Sequence, residues 1–69
     1  MAINIKHTYT TTVQIYYYGE EGFMCNSRDN GSMDDISERV CETLIKHNFY
    51  RAEVCLAKTL DALMIIERS

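Results

Sequence analysis

The residues of this chain that could bind a metal ion are its three cysteines and two histidines. Zinc sites in proteins normally use ligand pairs only two to four residues apart. Cys25, Cys41 and Cys55 are far apart in the chain, and neither His7 nor His47 supplies a close second ligand. We therefore expect no metal site and no cofactor.

Covalent catalysis would need a nucleophile, and His47 with a cysteine is the one conceivable dyad. A reactive thiolate needs an accessible, electropositive setting. Cys41 and Cys55 lie instead within apolar patterns, so both are predicted to be reduced, buried and inert. We expect no catalytic residue and no enzymatic activity.

The tripeptide Tyr16-Tyr17-Tyr18 is the most unusual feature. On a strand, Tyr17 points toward the core while Tyr16 and Tyr18 point the other way, where no second layer is expected. Tyrosine offers a large contact area at low entropic cost and is enriched at binding hot spots. We predict that Tyr16 and Tyr18 bind a partner protein. Ordinary packing on the sheet surface is the alternative.

Exposed tyrosines could also stack on the bases of a single-stranded nucleic acid. Such surfaces normally add a positive groove, whereas this chain has seven basic and ten acidic residues and a net charge of −3. The basic residues are scattered singly. Nucleic-acid binding is therefore the secondary expectation. The basic residues are Lys6, Arg28, Arg39, Lys46, Arg51, Lys58 and Arg68.

The elements that must position these tyrosines are strands in the first part of the chain. Apolar residues recur at every second position up to Tyr18, and Gly19-Glu20-Glu21-Gly22 indicates a turn. We predict a β-hairpin over residues 11–27. Residues 2–9 form either an extra strand or an arm, pairing within the chain or with another subunit, and residues 28–31 are predicted to be a second turn.

Helical spacing begins later in the chain. Ser32 and Asp35 resemble a capping box, which predicts a helix over residues 33–48 with Asn48 able to adopt a left-handed terminal conformation. A second helix is predicted over residues 50–66, with a final strand over residues 62–67 as the alternative. The stripe of the first helix that is predicted to face the core contains Ile36, Val40, Cys41, Leu44 and Ile45.

The predicted fold class is α+β, with an N-terminal β-hairpin packed on two C-terminal helices. The chain forms one small domain, residues 1–69, that is β-rich over 2–27 and helical over 33–66. Replacing a core leucine such as Leu44 or Leu60 by alanine is expected to cost about 2 to 5 kcal/mol. The predicted core consists of Val13, Ile15, Tyr17, Phe23, Ile36, Val40, Leu44, Leu56, Leu60 and Leu63.

The C-terminal segment is more apolar than a single core-facing stripe requires. Placed on the predicted helix, Cys55, Ala62, Ile65 and Ile66 form a second strip away from the core. Soluble monomers rarely leave a large apolar patch exposed, and a two-fold dimer is the commonest way to cover one. We predict a homodimer with this strip as its interface.

Targeting signals and long apolar segments are not evident. The residues from Met1 onward lack the pattern of a signal peptide, and the longest apolar run, 62–66, is too short for a membrane span. We expect a cytoplasmic protein without membrane contact. The expected function is that of a small regulatory or inhibitory protein acting through protein contact. Its size, modest acidity and lack of proline are common among accessory proteins of phages and mobile elements.

Overall fold

The computed structural model describes residues 2–3 and 10–68. They form one antiparallel sheet with the strand order β2-β1-β3-β4, and a single helix packs against one face of it. The helix follows the first two strands along the chain. The elements are β1 (Thr11–Gly19), β2 (Gly22–Gly31), α1 (Met33–Lys46), β3 (Arg51–Leu56) and β4 (Ala62–Glu67).

The prediction of two C-terminal helices is wrong, and with it the assignment of residues 33–66 as helical. Residues 51–67 form the hairpin of β3 and β4 instead. Within β3, Ala52 and Val54 are fully buried, while Arg51 before them and Glu53 between them are half-buried, which is the period of a strand. The alternative of a final strand over 62–67 is the one that matches the structure.

Residues 51–56 form a strand rather than a helix because β1 has two edges and β2 pairs with only one of them. Pairing with β3 satisfies the backbone groups of the second edge and places Val54 beside Ile15. The helix propensity of Ala, Leu, Met and Lys in this segment is a weak preference that this tertiary pairing overrides.

The N-terminal hairpin is confirmed. Its two strands pair antiparallel from Thr11 opposite Gly31 to Gly19 opposite Gly22, with two residues in the loop. The second turn predicted at residues 28–31 is wrong, because these residues continue β2 in register with β1. The predicted N-terminal strand or arm, and His7 within it, fall mostly on residues outside the described ones.

The first helix is confirmed from its start and ends two residues earlier than predicted. The Ser32 side chain accepts a hydrogen bond from the backbone N–H of Asp35 at 3.2 Å, as expected of a capping residue. Asp34 and Asp35 lie in the first turn, where negative charge complements the helix dipole.

The helix ends in a Schellman motif built on the predicted asparagine. Asn48 has a φ of 56° and donates its N–H to the carbonyl of Ile45 at 3.3 Å. The N–H of Phe49 reaches back to the carbonyl of Leu44 at 3.0 Å. This pair of bonds turns the chain toward β3, and it brings Phe49 against the core.

The core lies between α1 and one face of the sheet. The predicted burial of Leu60 and Leu63 in the core is wrong, because their side chains are 55% and 40% exposed. Phe23 and Ile45 are exposed as well, and Leu56 is half-buried. The core cluster contains Val13, Ile15, Tyr17, Ile36, Val40, Leu44, Ala52 and Val54.

The burial of the cysteines differs in part from the prediction. Cys55 is buried as expected, whereas Cys41 lies on the exposed side of α1, so its predicted burial is wrong. Cys25 on β2 is exposed as well. All three thiols are free.

Candidate functional site

The face of the sheet opposite α1, which we call the open face, is the candidate site. Residues directly opposite each other on antiparallel strands share a face. Among the described residues, no helix or strand covers the open face, because α1 packs on the other one. The side chains on the open face include Gln14, Tyr16, Tyr18, Phe23, Asn26, Arg28, Arg51, Glu53, Cys55 and Ile65.

Three aromatic side chains meet on the open face. The ring centroid of Phe23 lies 6.2 Å from that of Tyr16 and 5.9 Å from that of Tyr18, the latter pair edge to face. Both distances are within the range of favourable aromatic contacts. We call Tyr16, Tyr18 and Phe23 the aromatic cluster. Phe23 is 56% exposed, so the cluster presents an apolar ring to solvent.

The two predicted site residues are brought together by the alternation of β1. Tyr17 is buried, 4% exposed, while Tyr16 and Tyr18 on either side of it are half-buried on the open face. The expected directions of the three side chains are therefore confirmed. Whether Tyr16 and Tyr18 bind a partner stays a prediction.

Polar side chains fix Tyr18 more firmly than Tyr16. The guanidinium carbon of Arg51 lies 4.5 Å above the Tyr18 ring, and the Tyr18 hydroxyl donates a 3.4 Å hydrogen bond to Glu53. Arg51 and Glu53 form an ion pair at 3.4 Å. Local desolvation, followed by the Glu53 carboxylate and its hydrogen bond, raises the pKa of Tyr18 above its ordinary value.

Arg51 retains an unused hydrogen-bond donor. Its Nε atom is buried and has no hydrogen-bond partner. One part of the same guanidinium contacts Glu53, and the plane as a whole lies over Tyr18. Arg51 is therefore held at the margin of the aromatic cluster.

Phe23 is the site residue that sequence reasoning missed by assigning it to the core. A two-residue loop between Gly19 and Gly22 forces Phe23 to lie opposite Tyr18, and therefore on the open face. The register shifts by one residue between Tyr18 and Tyr17, so that Cys25 rather than Met24 lies opposite Tyr17. The loop length was the available signal, and counting from the turn would have found Phe23.

The predicted dimer strip does not exist as a helical surface. Cys55 and Ala62 are opposite each other on β3 and β4, and Ile65 shares their face. Ile66 points the other way and packs against the core. Ile65 alone of the four is both large and strongly exposed, at 56%.

A shallow groove on the helix side brings His47 and Cys25 to the same surface. His47 stacks on Phe49 with ring centroids 5.5 Å apart. Among the hydrogen bonds of the described residues, none joins His47 to a thiol. The groove is lined by Tyr17, Cys25, Ser27, Thr43, His47 and Phe49.

Residues 2–3 and 10–68 contain neither a metal-binding cluster nor a membrane-spanning helix. Within this part of the chain, no group of three or more His, Cys, Asp or Glu side chains is arranged to hold a metal ion. Its one helix is neither long nor apolar enough to cross a membrane.

Comparison of the chain with protein-family models, with curated protein sequences and with solved structures finds no match in any of the three.

Proposed function

We propose that this protein is a small non-enzymatic regulatory or inhibitory protein that binds another protein through the open face. The observation that carries the proposal is the aromatic cluster, in which Phe23 is 56% exposed beside Tyr16 and Tyr18. Aromatic and arginine side chains are the residues most enriched at binding hot spots, and Arg51 adjoins the cluster.

The fixed position of Tyr18 supports the proposal that the cluster is a contact site. Tyr18 is held from both sides, by Phe23 and by Arg51, so little side-chain entropy remains to be lost on binding. A partner that covers Phe23 would remove its apolar surface from water, which stabilises the complex.

A protein partner is favoured over a nucleic acid by the charges around the cluster. Arg51 is already paired with Glu53, and Arg28 is the other basic residue that β1, β2 and β3 place on the open face. Affinity for nucleic acids comes largely from contacts between basic residues and phosphates. The net charge of −3 opposes that mode of binding.

The second candidate function is base stacking on the same three rings. Stacking on aromatic side chains is tolerant of sequence and needs only exposed ring faces. The exposed Phe23 ring supports this candidate, and the shortage of basic residues around it is the argument against it.

The test is affinity capture from lysate of the native host over a series of salt concentrations. Protein is quantified by mass spectrometry and nucleic acid by fluorescence. We expect a captured protein whose recovery stays nearly constant as salt rises, because aromatic and apolar contacts do not release counterions. Steep loss of recovery with salt, together with nucleic acid in the eluate, would favour the second candidate.

A pair of variants separates specific capture from background. Changing Tyr16 and Phe23 together to alanine removes two rings of the cluster and leaves the Tyr18 bond to Glu53 in place. Tyr50→Ala is the matched control, because Tyr50 is 49% exposed and precedes the first residue of β3. A protein retained by Tyr50→Ala and lost from the double variant supports the proposal, and equal recovery from both contradicts it.

A further inference from the structure

Strand β4 is an edge strand that has a register irregularity near its start, between its pairs Met64–Val54 and Ala62–Cys55 with β3, but few other features that protect an edge. Its residues 62–66 are Ala, Leu, Met, Ile and Ile, with no charge, proline or glycine among them. Within residues 2–3 and 10–68, β3 is its one pairing partner. Edge strands of this kind are templates for pairing with another chain.

The direction of the backbone groups of β4 follows from one hydrogen bond at its end. The N–H of Arg68 donates to the carbonyl of Tyr50 at 3.0 Å, toward the β3 side. Backbone groups alternate in direction along an antiparallel strand. The N–H and C=O groups of Ile65 and Glu67 therefore point away from β3, toward the free edge.

The opposite edge of the sheet differs in composition. Strand β2 has Arg28 and Asp29 in its second half, and Asp29 forms an ion pair with Arg39 of α1 at 2.8 Å. Charged side chains on an edge strand oppose pairing with another chain. The two edges of the sheet are therefore unequal, and β4 is the one suited to pairing.

We propose that β4 pairs antiparallel with β4 of a second copy of this chain, making one continuous eight-stranded sheet from two four-stranded sheets. A second copy is the occupant that fits, because antiparallel pairing about a two-fold axis matches a strand with itself. Because residues 62–66 carry no charge, pairing them with the same residues of a second copy brings no like charges together. This inference is independent of the proposed binding at the aromatic cluster.

The outward groups of Ile65 allow a two-fold axis at that residue. With the two-fold axis at Ile65, each Ile65 lies opposite the other in a hydrogen-bonded pair, and Leu63 lies opposite Glu67 of the partner subunit. In this register Glu67 of each copy lies opposite an uncharged residue, so no like charges meet.

The test is the molar mass in solution, measured by sedimentation or light scattering on the full chain. We expect the wild type to have about twice the 8.0 kDa of one chain at micromolar concentration. Ile65→Lys and Ile65→Glu should each be monomeric, because each places two like charges together on the axis. Mixing these two variants in equal amounts should restore the dimer, because lysine then meets glutamate.

Ile45→Lys is the matched control, because Ile45 is 74% exposed on α1 and its change to lysine should leave the dimer intact. Circular dichroism of each variant verifies folding. A wild-type mass of 8.0 kDa at every concentration would overturn the inference. It would also be overturned by a dimer that Ile65→Lys leaves intact, or by variants that stay monomeric when mixed. Whether the aromatic cluster binds a protein is tested separately, by the variants of Tyr16 and Phe23.

Discussion

At the residue scale, the three thiols lie in different environments. Cys25 and Cys41 are exposed, while Cys55 is 6% exposed on β3. Burial, followed by the nearby carboxylates of Glu53 and Asp61, raises the pKa of the Cys55 thiol. The thiolate is the reactive form of cysteine. Cys55 should therefore be unreactive, because its sulfur is poorly accessible and only a small fraction of it is ionised.

We therefore predict unequal alkylation of the native protein by iodoacetamide near neutral pH. Cys25 and Cys41 should react at rates near those of the unfolded chain, and Cys55 should react many times more slowly. Peptide mass spectrometry over a time course gives the three rates. Alkylation of the protein in denaturant is the control, and equal rates under native conditions would contradict the placement of Cys55.

A second residue-scale feature joins β2 to α1. Arg39 donates two hydrogen bonds to the carboxylate of Asp29, at 2.8 and 3.2 Å, and a third to the carbonyl of Asn30 at 3.1 Å. The hydrogen bond from Arg39 is the main cause that lowers the pKa of Asp29 below its ordinary value of 3.8. The pair is solvent-exposed, so its contribution to stability is modest.

The lowered pKa gives the pH dependence a definite sign. Because the folded state favours ionised Asp29, the stabilisation is present above the pKa of the unfolded chain and is lost as pH falls through the folded value. We predict that Asp29→Asn lowers the melting temperature at neutral pH and that the difference from the wild type disappears at strongly acidic pH. Melting curves over a pH series test this. A difference that is independent of pH would contradict it.

At the element scale, the stability of the domain depends on the contact of α1 with the sheet. Leu44 is 2% exposed, whereas its neighbour Ile45 is 74% exposed. We predict that Leu44→Ala costs about 2 to 5 kcal/mol. Ile45→Ala should change the free energy of unfolding by less than about 0.5 kcal/mol. Urea unfolding of both variants provides the measurement, and similar losses would contradict the orientation of α1.

The turn between β3 and β4 contains a strained residue. Leu60 has a φ of 62°, a left-handed conformation that costs a residue with a side chain roughly 1 kcal/mol relative to glycine. Its side chain is 55% exposed, so little packing is lost on its removal. The expectation that Leu60→Ala would be severely destabilising therefore does not hold.

We predict that Leu60→Gly stabilises the protein by about 0.5 kcal/mol, because relief of strain exceeds the added entropy of the unfolded chain. Lys58→Gly in the same turn is the control. Lys58 is not among the described residues with a positive φ, so glycine there should be destabilising. Thermal melting of both variants provides the comparison, and destabilisation by Leu60→Gly would contradict the prediction.

The elements differ in how far the sequence could predict them. The first hairpin and α1 carry local signals, namely Gly19 and Gly22 at the turn, Ser32 at the start of the helix and Asn48 at its end. The turn at 57–61 contains neither glycine nor proline. Without a turn signal, the leucines and alanines of this segment favoured a helix, and the strand pairing with β1 that decides the structure is not a local property.

The candidate site, like the fold, could be predicted only in part from the sequence. The alternation of β1 was enough to place Tyr16 and Tyr18 on the face opposite the core. The position of Phe23 required the loop length, and those of Arg51 and Glu53 required knowledge that their segment is a strand. The predicted dimer interface assumed that the C-terminal segment is a helix. Ile66 was therefore grouped with Ile65, although on β4 the two side chains point to opposite faces.

At the scale of the whole molecule, the helix and sheet formed by residues 10–68 leave two surfaces uncovered within that part of the chain. The first is the open face with its aromatic cluster, and the second is the free edge of β4. In the proposed dimer, each aromatic cluster lies on a face that continues into the partner subunit's sheet. Two copies of the binding surface on one face would favour a partner with two equivalent sites.

Protein binding by the aromatic cluster is tested by the affinity of the captured partner once it has been purified. Calorimetric titration compares the wild type, the double variant Tyr16→Ala with Phe23→Ala, and Tyr50→Ala. The proposal predicts a loss of about 30-fold or more in the double variant, the effect of about 2 kcal/mol at a hot spot. It also predicts little change in Tyr50→Ala. Affinities of the wild type and a folded double variant that agree within error would contradict the claim.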